Sequence, residues 1–186
     1  MNLQFNVRKS TQAGAFLLKA NGGQMDKYLW IKMLYLADRM ALQKWCESIT
    51  GDCPVSLPYG PVLETVYDLT RGYRPSLREY WEEHISDADQ EANRIKLKLD
   101  PGTDELSLAE VKMLRAVFDE FRYYTFPQML AYCQNLPEHE DVGNGSKPLP
   151  VENILKAIGK SHEEIVEAER INNEDLVLDT ILSGSP

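Results

Sequence analysis

Three side chains in this sequence could run acid–base chemistry: the carboxylates of Asp38 and Asp52 and the imidazole of His139. A carboxylate and an imidazole brought within reach of a substrate can relay its proton, so a hydrolase using Asp38 or Asp52 with His139 is one reading. The stretch ITGDCPVSLPYGPVLETVYDL, residues 49–69, sharpens the question, because it sets Gly51 beside Asp52 and Gly60 beside Tyr59 among three prolines. Glycines in such company cradle a phosphate, shape an active-site turn, or only steer the backbone.

Other arrangements that carry chemistry are missing from the sequence. His84, His139 and His162 form no HExxH pair, and Cys46, Cys53 and Cys133 form no CxxC, so no metal site is expected. The run Glu138-His139-Glu140-Asp141 offers atoms to a cation but reads as a solvated acidic loop. GNGSK at 143–147 matches a phosphate loop only in part: the spacing to Gly-Lys-Ser/Thr is incomplete and no expected strand precedes it. No GxSxG elbow occurs, and no cysteine stands at an evident helix start with a histidine partner. The expectation is a protein that is not an enzyme and uses no cofactor.

Backbone geometry accounts for the same residues. Gly51 can take positive φ while Asp52 bonds its own backbone, and Tyr59-Gly60-Pro61 can bend an extended segment straight into a helix. Asp38 stands apart, since on a helical wheel it falls among Ile31, Leu34, Leu42 and Trp45. A carboxylate there must be hydrogen-bonded or paired, with backbone N–H groups or a basic side chain of a packed loop as expected partners. Asp38, Thr50, Gly51, Asp52, Pro58, Tyr59, Gly60 and Pro61 are thus read together as a structural motif.

The elements that must position this motif are mostly helices. Ser10 or Thr11 is placed to cap a first helix ending at Asn21-Gly22-Gly23, and Asp26 to cap a second reaching about Cys46. The second is apolar over most of its circumference, with Lys32, Arg39 and Gln43 on one polar stripe. CPVSLP, 53–58, reads as a short extended piece that its prolines confine to an edge or bend. A helix is expected from near Pro61 to Gly72, and another capped by Ser76. SDADQEAN reads as a loop and RIKLKLD as a half-buried strand, while Ser107 with Glu110 opens a helix to about Tyr123. Thr125 with Pro127 in the first turn begins the next helix. After the Pro/Gly loop 136–150, a helix is expected at 151–158 and an acidic one, capped by Ser161 with Glu164, to about Asn172, with a turn or two beyond. The expected fold is mainly α (α+β): a single helical domain over 1–186, its core about 20–170, with a small β hairpin or two short strands.

Composition bounds the partner. With 43% apolar and 26% charged residues in 186, the chain is of ordinary globular type. No apolar run approaches the roughly 18 residues of a membrane helix, and no signal-peptide core is evident, so a cytoplasmic protein with reduced cysteines is expected. Residues 1–50 carry seven Lys/Arg against three Asp/Glu, a balance of +4, and residues 51–186 carry 13 against 26, a balance of −13. That acidic bulk removes the electrostatic attraction on which direct nucleic-acid binding depends, and it suits a basic protein partner. Tyr73, Tyr80, Trp81, Tyr123 and Tyr124 are of the types that anchor protein interfaces.

KMLYLADRMALQKWCESITGDCPVSLPYGPVLETVYDL, with LYLAD, ITGD and PYGPV in order, resembles the signature of the Panacea-domain family, the SocA-like antitoxins. LPEHEDVGNGSKPLPVENILKAIGKSHEEI resembles that family's C-terminal region, so the likeness covers about residues 20–170. It implies a mostly helical domain acting as the antitoxin of a toxin–antitoxin pair, neutralising a toxin by direct binding. In some relatives the toxin is instead delivered to a protease. The chain departs from the family pattern at Cys46, where glycine is usual, at Pro54, where a bulky residue is common, and at His139, where an aromatic is frequent. Some relatives add a DNA-binding module, which is not expected here.

Overall fold

Asn6 caps the first helix, α1 (Val7–Ala20), its side chain accepting from the Lys9 N–H at 3.0 Å. Ser10 and Thr11, the expected caps, are buried inside that helix, where the Thr11 hydroxyl donates back to the Val7 carbonyl at 2.6 Å. The computed structural model describes Met1, residues 3–86 and residues 93–182. Past Asn21 the chain enters β1 (Gln24–Asp26), three residues that are too short to show a strand period. Asp26 then caps α2 (Lys27–Trp45) as expected, accepting from the Tyr28 and Leu29 N–H groups at 2.8 and 3.1 Å. The helix stops at Cys46, which holds φ +61, a left-handed conformation that glycine would adopt without strain.

β2 (Pro54–Leu57) and β3 (Gly60–Leu63) form an antiparallel hairpin with Leu57 opposite Gly60 and Ser56 opposite Pro61. Pro61 therefore lies in a strand and not in the first turn of a helix. Because β3 is the edge of its sheet, the missing proline N–H costs no ladder bond. The helix expected from Pro61 begins three residues later as α3 (Glu64–Leu69). A 3-10 turn, Pro75–Leu77, holds Ser76, and α4 (Arg78–His84) follows it without a side-chain cap. Of the loop expected at 86–93, residues 87–92 lie outside the described residues. β4 (Arg94–Lys96) pairs antiparallel with β1.

The expected Ser107–Glu110 capping box opens α5 (Leu108–Phe121), and Thr125 starts α6 (Phe126–Gln134) as expected, its N–H donating to the Gln128 side chain at 2.8 Å. The Gly-rich loop ends in β5 (Lys147–Pro148), which pairs with β2 and makes the sheet order β3-β2-β5. α7 (Val151–Ala157) and α8 (His162–Leu182) complete the chain, α8 running well beyond Asn172. The fold is mainly α with two small antiparallel sheets.

α2 is the axis, packed against α1, α5, α6, α7 and β3. Trp30 shows how tightly: its indole N–H donates to the Gly14 carbonyl at 2.9 Å, and a Cβ on Gly14 would lie 2.4 Å from the ring. The polar stripe expected on this helix is not solvated throughout, because Lys32 is buried and Arg39 half-buried, leaving only Gln43 exposed.

Gly60 meets two demands at once. Its φ of +88 follows a reversal in which Tyr59 keeps negative φ, the pattern of a turn closed by a left-handed residue. A Cβ there would stand 2.8 Å from the Cβ of Cys133 on α6 and 3.3 Å from the Lys32 Nζ. Gly60→Val should therefore destabilise the fold by about 1 to 3 kcal/mol through backbone strain, with the clash adding to it. Urea unfolding of the purified variant checks this, and an unchanged midpoint would remove the motif's structural role.

Candidate partner-binding site

Asp38 is 3% exposed and its carboxylate is fully used. Oδ1 accepts from the Ile49 and Thr50 N–H groups at 3.0 and 3.2 Å, and Oδ2 accepts from the Thr50 hydroxyl. The same hydroxyl oxygen accepts from the Asp52 N–H at 3.1 Å. Asp52 in turn accepts from Cys53, Thr65 and Val66 N–H groups at 2.7, 3.0 and 2.9 Å. The last two lie in the first turn of α3, whose own N-cap residue, Leu63, offers no side-chain acceptor. Asp52 thus caps a helix that starts twelve residues along the chain, satisfying donors that would otherwise be orphaned. Gly51, at φ +68, lets the N-terminal segment approach; a Cβ there would meet the Gln4 carbonyl oxygen at 1.9 Å.

Burial pushes the Asp38 carboxyl up to about 7, against the pull of its hydrogen bonds from Thr50 and Ile49 and with the charge of Asp52 adding to the rise. Asp52 is also raised by burial, with the α3 N–H groups opposing. Neither aspartate is bonded to His139, whose ring Nδ1 is buried without a hydrogen-bond partner. Among the described residues no cluster of three or more His, Cys, Asp or Glu could hold a metal ion.

Glu138 was expected in a solvated loop, yet its side chain is fully buried. It accepts from the Tyr35 hydroxyl at 2.8 Å and takes a two-pronged contact from Arg39, Nε at 2.5 Å and Nη2 at 3.1 Å. The fork geometry of arginine suits such a buried carboxylate. The sequence reading gave Tyr35 no role and placed Arg39 on a polar stripe and Glu138 in an acidic loop, without joining the three. The i, i+4 pairing of Tyr35 with Arg39 was the available signal, but nothing local tied it to residue 138.

Two turns earlier on α2, the hairpin tip walls a cleft of about 420 Å³ lined by Tyr28, Lys32, Tyr59, Tyr67, Arg71 and Phe126, among others. Asn144, Gly145 and Ser146 close it from the glycine-rich loop. Tyr28 and Tyr59 both meet Phe126, with ring centroids 5.5 and 6.5 Å apart. Lys32, 4% exposed, donates to the Pro61 carbonyl at 2.8 Å, and burial lowers it to about 8 while Cys133 pulls the other way.

The five aromatics proposed as anchors do not share a surface. Trp81 is wholly buried, edge-on to Trp30 at 5.7 Å, so its ring cannot meet a partner. Tyr80 stacks on His84 beneath Arg8, and Tyr124 packs on Phe121 and Tyr132. Tyr123 and Tyr73 are exposed, and Tyr73 borders the cleft through Arg71, whose guanidinium lies over both the Tyr67 and Tyr73 rings.

The model of one protein family, described as "Antitoxin SocA-like, Panacea domain", matches residues 31–138, more than half of the chain. The chain belongs to that family. The matched segment begins in α2 and ends at Glu138, so it contains the whole Asp38–Asp52 network, the hairpin and both members of the Arg39–Glu138 pair. Membership carries a toxin–antitoxin role and a toxin partner in general terms. No curated protein and no solved structure matches the chain significantly. Among the described residues no helix is long and apolar enough to cross a membrane.

Asp38→Ala should cost about 1 to 3 kcal/mol, since the Ile49 and Thr50 N–H groups lose their acceptor in a buried place. The pH dependence has a definite sign. Raised from the usual 3.8 to about 7 in the fold, Asp38 contributes stability that is complete below about 4 and is lost as pH rises through about 7. Asp38→Asn should flatten this part of the profile, measured as urea midpoints across that range. A slope identical to the wild type would show that the carboxyl does not titrate there.

Proposed function

We propose that this chain neutralises a cognate protein toxin by binding it directly, without catalysis, as a single Panacea-like unit over residues 1–186 of the cytoplasm. What carries the reading is the fate of the two aspartates: Asp38 and Asp52 spend their oxygens on backbone N–H groups and the Thr50 hydroxyl. The motif that looked able to do chemistry is a framework. What such a framework offers a toxin is a surface.

The acidic balance of −13 over residues 51–186 supports a toxin with a basic face. It is concentrated on α8, where residues 162–182 hold seven Asp/Glu and one arginine. Ile165 and Ala168 seat this helix on the body, while Ile171, Val177 and Ile181 remain exposed along it. Apolar anchors set among acids suit a partner that is basic around an apolar centre. Exposed Tyr73 and Tyr123 are the further candidates for contact. The same acidic field disfavours direct nucleic-acid binding.

Co-expression with the protein encoded beside it, followed by pull-down in chelator, tests the proposal. Rescue of growth with a recoverable complex is the expected outcome. The on-rate should fall as salt rises while the off-rate changes less. Rescue with no complex and falling toxin levels would replace direct binding by delivery to a protease. Rescue with no complex and steady toxin levels would point to enzymatic repair.

A further inference from the structure

The cleft beside the hairpin has a chemistry at odds with the rest of the chain. In a protein of net charge −9, Lys32 stands at its floor, Arg71 at its rim, and Lys27 just beside it over the Tyr28 ring. The nearest acid to Lys27, Asp26, is committed to the first turn of α2. Among the described residues no carboxylate pairs with Lys32, which uses one of its three donors, on the Pro61 carbonyl. A buried ammonium without a counter-charge is a burden on the fold. It makes sense where a ligand brings the missing anion.

The walls specify the rest of that ligand. Tyr28, Tyr59 and Phe126 meet at tilted and edge-on angles of 50° and 80°, and Tyr67 adds a fourth ring carrying Arg71 over it at 5.1 Å. Apolar rings with a few convergent polar groups, in a volume within the roughly 300–1,000 Å³ range, are the make-up of small-molecule sites. We propose that this cleft binds a small ligand bearing one anionic group on a planar ring, the anion on Lys32 and Arg71 and the ring among the tyrosines and Phe126. The site is separate from α8, and ligand binding by the chain alone does not depend on how a toxin is held.

Two kinds of molecule share this chemistry, aromatic carboxylates and nucleoside monophosphates. Calorimetric titration of the full chain with indole-3-acetate and with AMP separates them, with indole and adenosine as ring-only probes and acetate and phosphate as anion-only probes. Saturable binding of one or both ring-and-anion probes, tighter than either set of fragments, is the expected result. Lys32→Met should weaken it at least about tenfold, the loss of one charge-assisted hydrogen bond. Arg71→Gln, at an exposed position, should weaken it as well and decides the matter if Lys32→Met fails to fold. No saturation by either ring-and-anion probe, equal binding by acetate or phosphate alone, or affinity unchanged in both variants would overturn the proposal.

Discussion

The carboxylate of Asp38 is the joint on which the rest of the structure depends. It is carried by the most buried helix of the fold and holds the Ile49–Thr50 backbone against it. Through the Thr50 hydroxyl the network passes to Asp52, and through Asp52 to the first turn of α3. The β2–β3 hairpin lies between Asp52 and α3, so both of its ends are fixed by one chain of hydrogen bonds. Its tip is fixed again by Lys32 on the Pro61 carbonyl, and Asn6 joins the N-terminal segment to the Thr50 carbonyl at 3.1 Å. A loop rich in glycine and proline thereby becomes a rigid ledge.

That rigidity bears on function. A surface held in place loses less entropy when a partner settles on it. One residue along α2 from Asp38, the buried Arg39–Glu138 pair does the same for the chain after α6. Removing either partner would leave a buried charge uncompensated, a larger penalty than the pair's own net worth. The polar residues of α2 thus each secure a different strand or loop: Asp38 the 49–53 turn, Lys32 the hairpin tip, Arg39 the 138 region.

Much of this was legible in the sequence where the signal is local. The cap at Asp26 and the boxes at Ser107 and Ser161 lie within three residues of their partners, and Asp38 betrayed itself by sitting on an apolar face. Pro61 misled because a proline suits the first turn of a helix and an edge strand equally well. β1 and β5, three and two residues long, are too short for any period to show. Glu138 looked solvated because its neighbours are acidic, and its partners Tyr35 and Arg39 lie 103 and 99 residues away. Lys32 read only as part of a polar stripe because nothing near it in sequence shows that the hairpin folds over it. The aromatics scattered for a like reason: composition names the ring types that anchor interfaces, while packing decides, as for Trp81, which rings are left outside.

Backbone hydrogen exchange measures the central claim most directly. The amides of Ile49, Thr50, Thr65 and Val66 donate to the two aspartates, and if that network is the framework they should exchange as slowly as the amides at the centre of α2, through global unfolding alone. Exchange of these four amides at the rate of an exposed loop would contradict the account, leaving Asp38 and Asp52 free for another role.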